Sequence, residues 1–236
     1  MKNLQIVLSI FFCVLSAQML SAQKTVKYDL PAFTEISLKS DAKLILTQDS
    51  IQTVTVKARE ETIGKLIVEV SNRKLVIRYP GNVWFDSKWS PGEVLITVSM
   101  PQIDALSQSG SGSIIAEHLI SSRILDLYVG GSGSIRLKEL KAEKISSTLS
   151  GSGNLQLAGG RVVSELKMIL SGSGEVKASG LESKKVNVLI SGSGSCSVHA
   201  TETLTCKIAG SGSVSYIGNP AIESTIVGSG TVKEAR

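Results

Sequence analysis

The sequence predicts an all-β fold, a parallel β-helix solenoid with an N-terminal β-rich cap, and three observations lead there. First, Gly-Ser-Gly recurs seven times, its first glycines being Gly110, Gly131, Gly151, Gly172, Gly192, Gly210 and Gly228 and its second Gly112, Gly133, Gly153, Gly174, Gly194, Gly212 and Gly230. Successive copies begin 21, 20, 21, 20, 18 and 18 residues apart, and a fixed period of that size marks stacked structural repeats.

Second, every copy is flanked by period-two alternation. The positions two and four before the first glycine carry Val129 and Leu127, Leu170 and Met168, Ile190 and Val188, Ile208 and Cys206, and those after the second glycine carry Ile135 and Leu137, Leu155 and Leu157, Val176 and Ala178, Cys196 and Val198, Val214 and Tyr216. The intervening Asp126, Tyr128, Arg136, Gln156, Lys167, Lys177, Asn187 and Lys207 are mostly polar, so each strand buries one face and wets the other.

Third, the unit has the length of one circuit. About 20 residues at roughly 3.3 Å each trace about 66 Å, enough to go once around a narrow apolar core and climb one strand spacing of about 4.8 Å. One circuit offers about five inward aliphatic side chains at roughly 1.5–3 kcal/mol each, against about 1–2 kcal/mol of backbone entropy for each residue. No circuit folds alone, and stacking supplies the missing burial and main-chain hydrogen bonds. The β-helix is expected over residues 101–236; right-handed winding is assumed, since nothing in the residues sets it.

Residues 23–100 lack the triplet but remain β-rich. Alternating runs at Glu35–Leu38, Lys43–Thr47, Thr53–Ala58, Lys65–Val70, Lys74–Tyr79 and Glu93–Ser99 are separated by turn-forming residues such as Ser71-Asn72-Arg73 and Pro80-Gly81-Asn82. A meander covering the first circuit is expected, because a terminal circuit exposes apolar side chains and unpaired backbone. Residues 23–236 then form one continuous structural domain.

Residues 1–22 read as a signal peptide: Lys2, an apolar stretch from Leu4 to Leu15, then small residues to Ala22. That stretch is short for a bilayer span, no later segment is a membrane candidate, and Cys13 lacks the setting of a lipid-attachment cysteine. Export to the periplasm, the outer membrane or the exterior follows. Without residues 1–22 the chain has 24 basic and 20 acidic residues, scattered singly, which excludes a nucleic-acid footprint.

Several segments together resemble a known family: Phe33-Thr34-Glu35-Ile36, Leu44-Ile45-Leu46-Thr47-Gln48 followed by Val54-Thr55-Val56, Leu75-Val76-Ile77-Arg78-Tyr79, Val98-Ser99-Met100-Pro101 and the Ser-Gly-Ser-Gly series from Ser109. Over about residues 33–230 the chain is similar to the exported bacterial proteins of the auto-transporter adhesin or head GIN domain family. The resemblance implies an exported β-helical domain of Gram-negative bacteria with an adhesin role, and brings no catalytic residues.

The glycine turns themselves carry no cofactor signature. A calcium-binding β-roll needs Asp in the turn, and none of the seven turns has one. Phosphate and dinucleotide loops open helices, whereas strands follow here. The glycines are read as corner residues with unusual backbone, and the serines Ser111, Ser132, Ser152, Ser173, Ser193, Ser211 and Ser229 as a stacked hydroxyl ladder. No metal or cofactor is expected. His118 and His199 sit at unequal offsets from their turns without a recurrent acidic partner, so no nucleophile–base pair can be named.

Cys196 and Cys206 fall at inward positions. They are either buried thiols replacing aliphatic residues or a disulfide across one circuit in an oxidising compartment. Both tryptophans lie in the segment 79–90, so Tyr79, Trp84 and Trp89 are the candidate ligand contacts, by stacking on sugars or anchoring a protein; the alternative is that they plug the solenoid. The functional reading is a non-enzymatic envelope or surface module of adhesin type that binds surface glycans, envelope proteins or host proteins. A structural envelope component is the rival, and a polysaccharide-acting enzyme is the third. The last circuit, near Thr231–Arg236, has little cover and offers an edge for a second copy of the chain.

Overall fold

The computed structural model describes residues 23–81 and 89–235. It is a β-solenoid of about six turns. Parallel layers are built from β8 (Ala105–Gly110), β9 (Ser113–Gly131), β10 (Ser134–Gly151), β11 (Asn154–Ala158), β12 (Val163–Gly172), β13 (Glu175–Gly192), β14 (Ser195–Gly210), β15 (Ser213–Ile217), β16 (Ala221–Gly228) and β17 (Thr231–Glu234).

The triplet acts as the expected ruler. In the ladder Gly110, Gly131, Gly151, Gly172, Gly192, Gly210 and Gly228 pair in one column. Each has a φ between 82° and 122°, in the region that L side chains avoid. The strands turn there because glycine alone tolerates that backbone with another layer directly beneath.

Like residues pile into inward columns. Leu106, Leu127, Ser147, Met168, Val188 and Cys206 form one, and Ile135, Leu155, Val176, Cys196 and Val214 another. All are buried, and so are the other inward aliphatic residues read from the alternation, apart from half-buried Tyr216 in the penultimate layer.

The N-terminal region departs from the expected meander. β2 (Glu35–Lys39) lies parallel to β8, and β3 (Lys43–Gln48) parallel to the start of β9. On their far side, β6 (Lys74–Arg78) pairs parallel with β2, and β7 (Leu95–Met100) with β3. Two layers of the coil therefore come from before residue 101, and their order in space differs from their order in the chain. The reason is the inward set Ile36, Leu38, Leu44 and Leu46, which continues the apolar columns: Ile36 sits beside Leu106 and Leu44 beside Ile114.

Ser40-Asp41-Ala42 takes the corner beneath Gly110, with Gly112 N–H donating to the Ser40 carbonyl at 3.0 Å and Ser113 N–H to the Ala42 carbonyl at 3.0 Å. Only the outermost part is antiparallel: β5 (Ile67–Ser71) on β6, β4 (Thr53–Arg59) on β7 and β1 (Gln23–Tyr28) on β4. With the short helix α1 (Glu60–Lys65), these close the N-terminal end.

Candidate functional site: the outer flank of the coil

Of the three aromatic candidates, Tyr79 lies inside the cap and Trp89 packs partly buried against it. Tyr79 extends the inward alternation of Leu75 and Ile77 and is 4% exposed, so it offers no face to a ligand. Its ring meets Trp89 edge-on, with centroids 5.0 Å apart and planes at 77°, a favoured aromatic geometry. Lys65 Nζ lies 5.0 Å from the centre of the Trp89 ring. Burial first, and then the hydrogen-bonded Asp41 carboxylate, push the Tyr79 phenol well above its usual range. Trp89 is half-buried against the core, so the pair fills the end of the coil. Trp84 lies outside the described residues.

The corner glycines are likewise committed to structure. Ser132 N–H donates to the Gly110 carbonyl at 3.1 Å, Ser152 N–H to Gly131 at 2.9 Å, Ser173 N–H to Gly151 at 3.0 Å and Ser193 N–H to Gly172 at 2.9 Å. A second rail runs alongside, as in Ser134 N–H to Gly112 at 3.0 Å and Asn154 N–H to Gly133 at 3.0 Å. Donors already used between layers cannot form an anion-binding nest. The seven serines are exposed and make a hydroxyl column along one edge.

Cys196 and Cys206 are buried free thiols. Cys196 Sγ lies 3.4 Å from Met168 Sδ. Burial raises the Cys206 thiol to about 11, while burial, with the neighbouring Cys206 second, raises Cys196 as well. Neither is a poised nucleophile, since thiolate is the reactive form. Among the described residues no three His, Cys, Asp or Glu side chains come together in a way that could hold a metal ion, and no helix is long and apolar enough to cross a membrane.

What the fold does present is a regular outer flank. The position three before each corner glycine points outward, and the ladder aligns Tyr128, Thr148, Ile169, Leu189 and Lys207 in one solvent-facing column. Tyr128 is 40% and Leu189 42% exposed. The column beside it holds Asp126, Ser146, Lys167, Asn187 and Thr205. Between them, Glu165, Lys167, Ile169, Asn187, Leu189 and Lys207 line a shallow depression of about 400 Å³. Its signal in the sequence is parity: Tyr128, Ile169 and Leu189 are apolar residues with the wrong parity for the core, all at one offset from the corner.

A second depression of about 560 Å³ lies at another bend, lined by Gln48, Gln102, Asp104, Ser121, Arg123 and Asp126 among others. There the Gln48 side-chain amide donates to the carbonyls of Pro101 (3.0 Å) and Ser121 (2.9 Å) while its oxygen accepts from Ser121 N–H. Gln48 thus ties layers together at that bend. Exposed ion pairs such as Lys144–Glu165 at 3.1 Å and Lys184–Glu202 at 3.2 Å lie on the surface of the coil. Glu117, hydrogen-bonded to Lys138, is held below the usual carboxylate range by that contact.

A family model described as "Putative auto-transporter adhesin, head GIN domain" matches residues 32–220. Among solved structures, one described as a putative adhesin from Bacteroides fragilis superposes with a TM-score of 0.82 at 22% identity, covering 91% of this chain and 97% of its own. One described as a putative lipid binding protein from Parabacteroides distasonis gives 0.74 at 25% identity, covering 92% and 98%. One described as a putative adhesin from Parabacteroides merdae gives 0.72 at 22%, again covering 92% and 98%. No protein with a curated description matches the sequence.

Proposed function

We propose that this chain, which belongs to the auto-transporter adhesin, head GIN domain family, is an exported, non-enzymatic module that binds extended glycans along its outer flank. The observation that carries this reading is the column of Tyr128, Ile169 and Leu189 bordered by Lys167, Asn187 and Thr205. Sugars present apolar ring faces edged by hydroxyls, and such a column offers apolar contact with amide, ammonium and hydroxyl groups beside it. Repetition at about 4.8 Å per layer gives an extended polymer many weak contacts on one rigid body, which raises avidity without a deep pocket.

The neighbour described as a lipid binding protein supports a second reading, in which the same apolar strip meets lipid. The core is filled by its own side chains, so a lipid would lie on the flank rather than inside. A glycan array and a liposome flotation assay, run on the native protein and on Leu189→Glu and Lys167→Glu, separate the two. Array binding that falls at least tenfold in Leu189→Glu supports the glycan reading. Flotation with the same sensitivity, and a blank array, replaces it with the lipid reading; binding indifferent to both substitutions removes the flank from either.

A further inference from the structure

The two ends of the solenoid are unlike. At the N-terminal end the last parallel layer is covered by antiparallel β1, β4 and β5 and by α1. At the other end β16 is exposed along its entire length. Its inward residues Ile222 and Ile226 continue the columns of Leu204 and Ile208. Yet they are 45% and 39% exposed, where Leu204 and Ile208 are 0% and 2%. An uncovered strand edge with an apolar face is a template for pairing with another chain.

We propose that β16 pairs antiparallel with β16 of a second copy, end to end, in a register centred on Ser224, giving a closed two-fold dimer. The segment is self-complementary in that register. Ile222 stands opposite the partner's Ile226 and Ser224 opposite the partner's Ser224, because antiparallel partners on one face sum to a constant. Inward residues therefore stay inward, and the two cores become one.

Charge agrees with the register. Glu223 faces the partner's Thr225 instead of the partner's Glu223. Lys207, which neighbours Thr225 in its own chain, then lies two strand spacings, about 10 Å between Cα atoms, from the partner's Glu223. Both side chains point outward and span that gap together, and the dyad makes the pair twice. Neither Lys207 nor Glu223 has an ion-pair partner among the described residues. An isologous contact uses the same edge on both copies, so it closes here and does not propagate into a filament.

Sedimentation velocity of the purified protein over the micromolar range tests this, with two kinds of variant. The native protein is expected as a monomer–dimer equilibrium, and Ile226→Lys is expected to weaken it at least tenfold while leaving the β circular-dichroism spectrum unchanged. Mixing Glu223→Cys with Thr225→Cys, both on exposed positions, is expected to give a mixed disulfide-linked dimer under mild oxidation that neither variant forms alone. A native protein that stays monomeric, a dimer indifferent to Ile226→Lys, open-ended assembly, or no mixed disulfide would each overturn the proposal.

Discussion

Gly172 packs so closely on Gly151 that a Cβ built on it would stand 2.5 Å from the Gly151 carbonyl oxygen, and its own φ is +114°. The same contact recurs at Gly192 on Gly172 (2.6 Å) and Gly210 on Gly192 (2.4 Å). The corner is thus constrained twice, by backbone conformation and by the layer below. Gly172→Ala is expected to cost on the order of 3 kcal/mol. Gly160, with nothing within 4 Å and no positive φ, supplies the control: Gly160→Ala is expected to be neutral or to stabilise by up to about 1 kcal/mol. Urea unfolding of the two variants checks both.

Parity separates neighbours of similar chemistry. Ile190 is fully buried and Leu189 is 42% exposed, although they adjoin in one strand. Ile190→Ala is expected to lose about 2–5 kcal/mol through lost burial and the cavity left behind, and Leu189→Ala less than about 0.5 kcal/mol. Equal losses in chemical denaturation would mean that the inward and outward columns are misassigned.

Gln108 is a polar residue in an apolar column, between Leu38 and Val129. Its amide nitrogen donates to the Ser40 carbonyl at 3.2 Å, but its side-chain oxygen is buried without a hydrogen-bond partner among the described residues. The Ser40 carbonyl also accepts from Gly112 N–H, so it remains satisfied if the glutamine is removed. Gln108→Leu is therefore expected to raise stability by about 1 kcal/mol, since an unpaired buried acceptor costs about 1–3 kcal/mol. A thermal melt shifted downward would contradict this.

The buried thiols set an alkaline limit. A thiol raised from 9.0 in the open chain to about 11 in the fold, as at Cys206, keeps its proton in the native state while the unfolded state loses it. Its stabilising contribution is complete below about pH 9 and is lost as pH rises through about 11, with Cys196 acting in the same direction. Melting temperature is expected to be flat in this respect at neutral pH and to decline from about pH 9 upward, with a shallower decline in Cys206→Val. At pH 8 neither thiol should react with a disulfide reagent until denaturant is added.

Much of the coil was legible because its signals are local. A glycine at a fixed period and alternation on both sides identify the corner, the strand and the buried parity, and Leu125, Leu166, Val186 and Leu204 are all buried as their parity demands. The end layers were less legible. Ile36 and Leu44 alternate like any half-buried strand, and nothing local says that their partners are Leu106 and Ile114, some seventy residues away. Tyr79 belongs both to the aromatic segment 79–90 and to the alternating run Lys74–Tyr79, and its parity with Leu75 and Ile77 is the signal that agrees with its burial.

By itself the sequence determined the repeat, the position of each corner and the face of each strand that leaves water, since backbone conformation and side-chain parity are properties of neighbours in the chain. Only the tertiary structure decided which layer lies beneath which, that β2 and β3 enter the stack between β6/β7 and β8/β9, and that Tyr128, Ile169 and Leu189 line up as one outer column. Those outcomes depend on hydrogen bonds between residues far apart in sequence, where many pairings share the same alternation and the compact set that buries every inward side chain prevails.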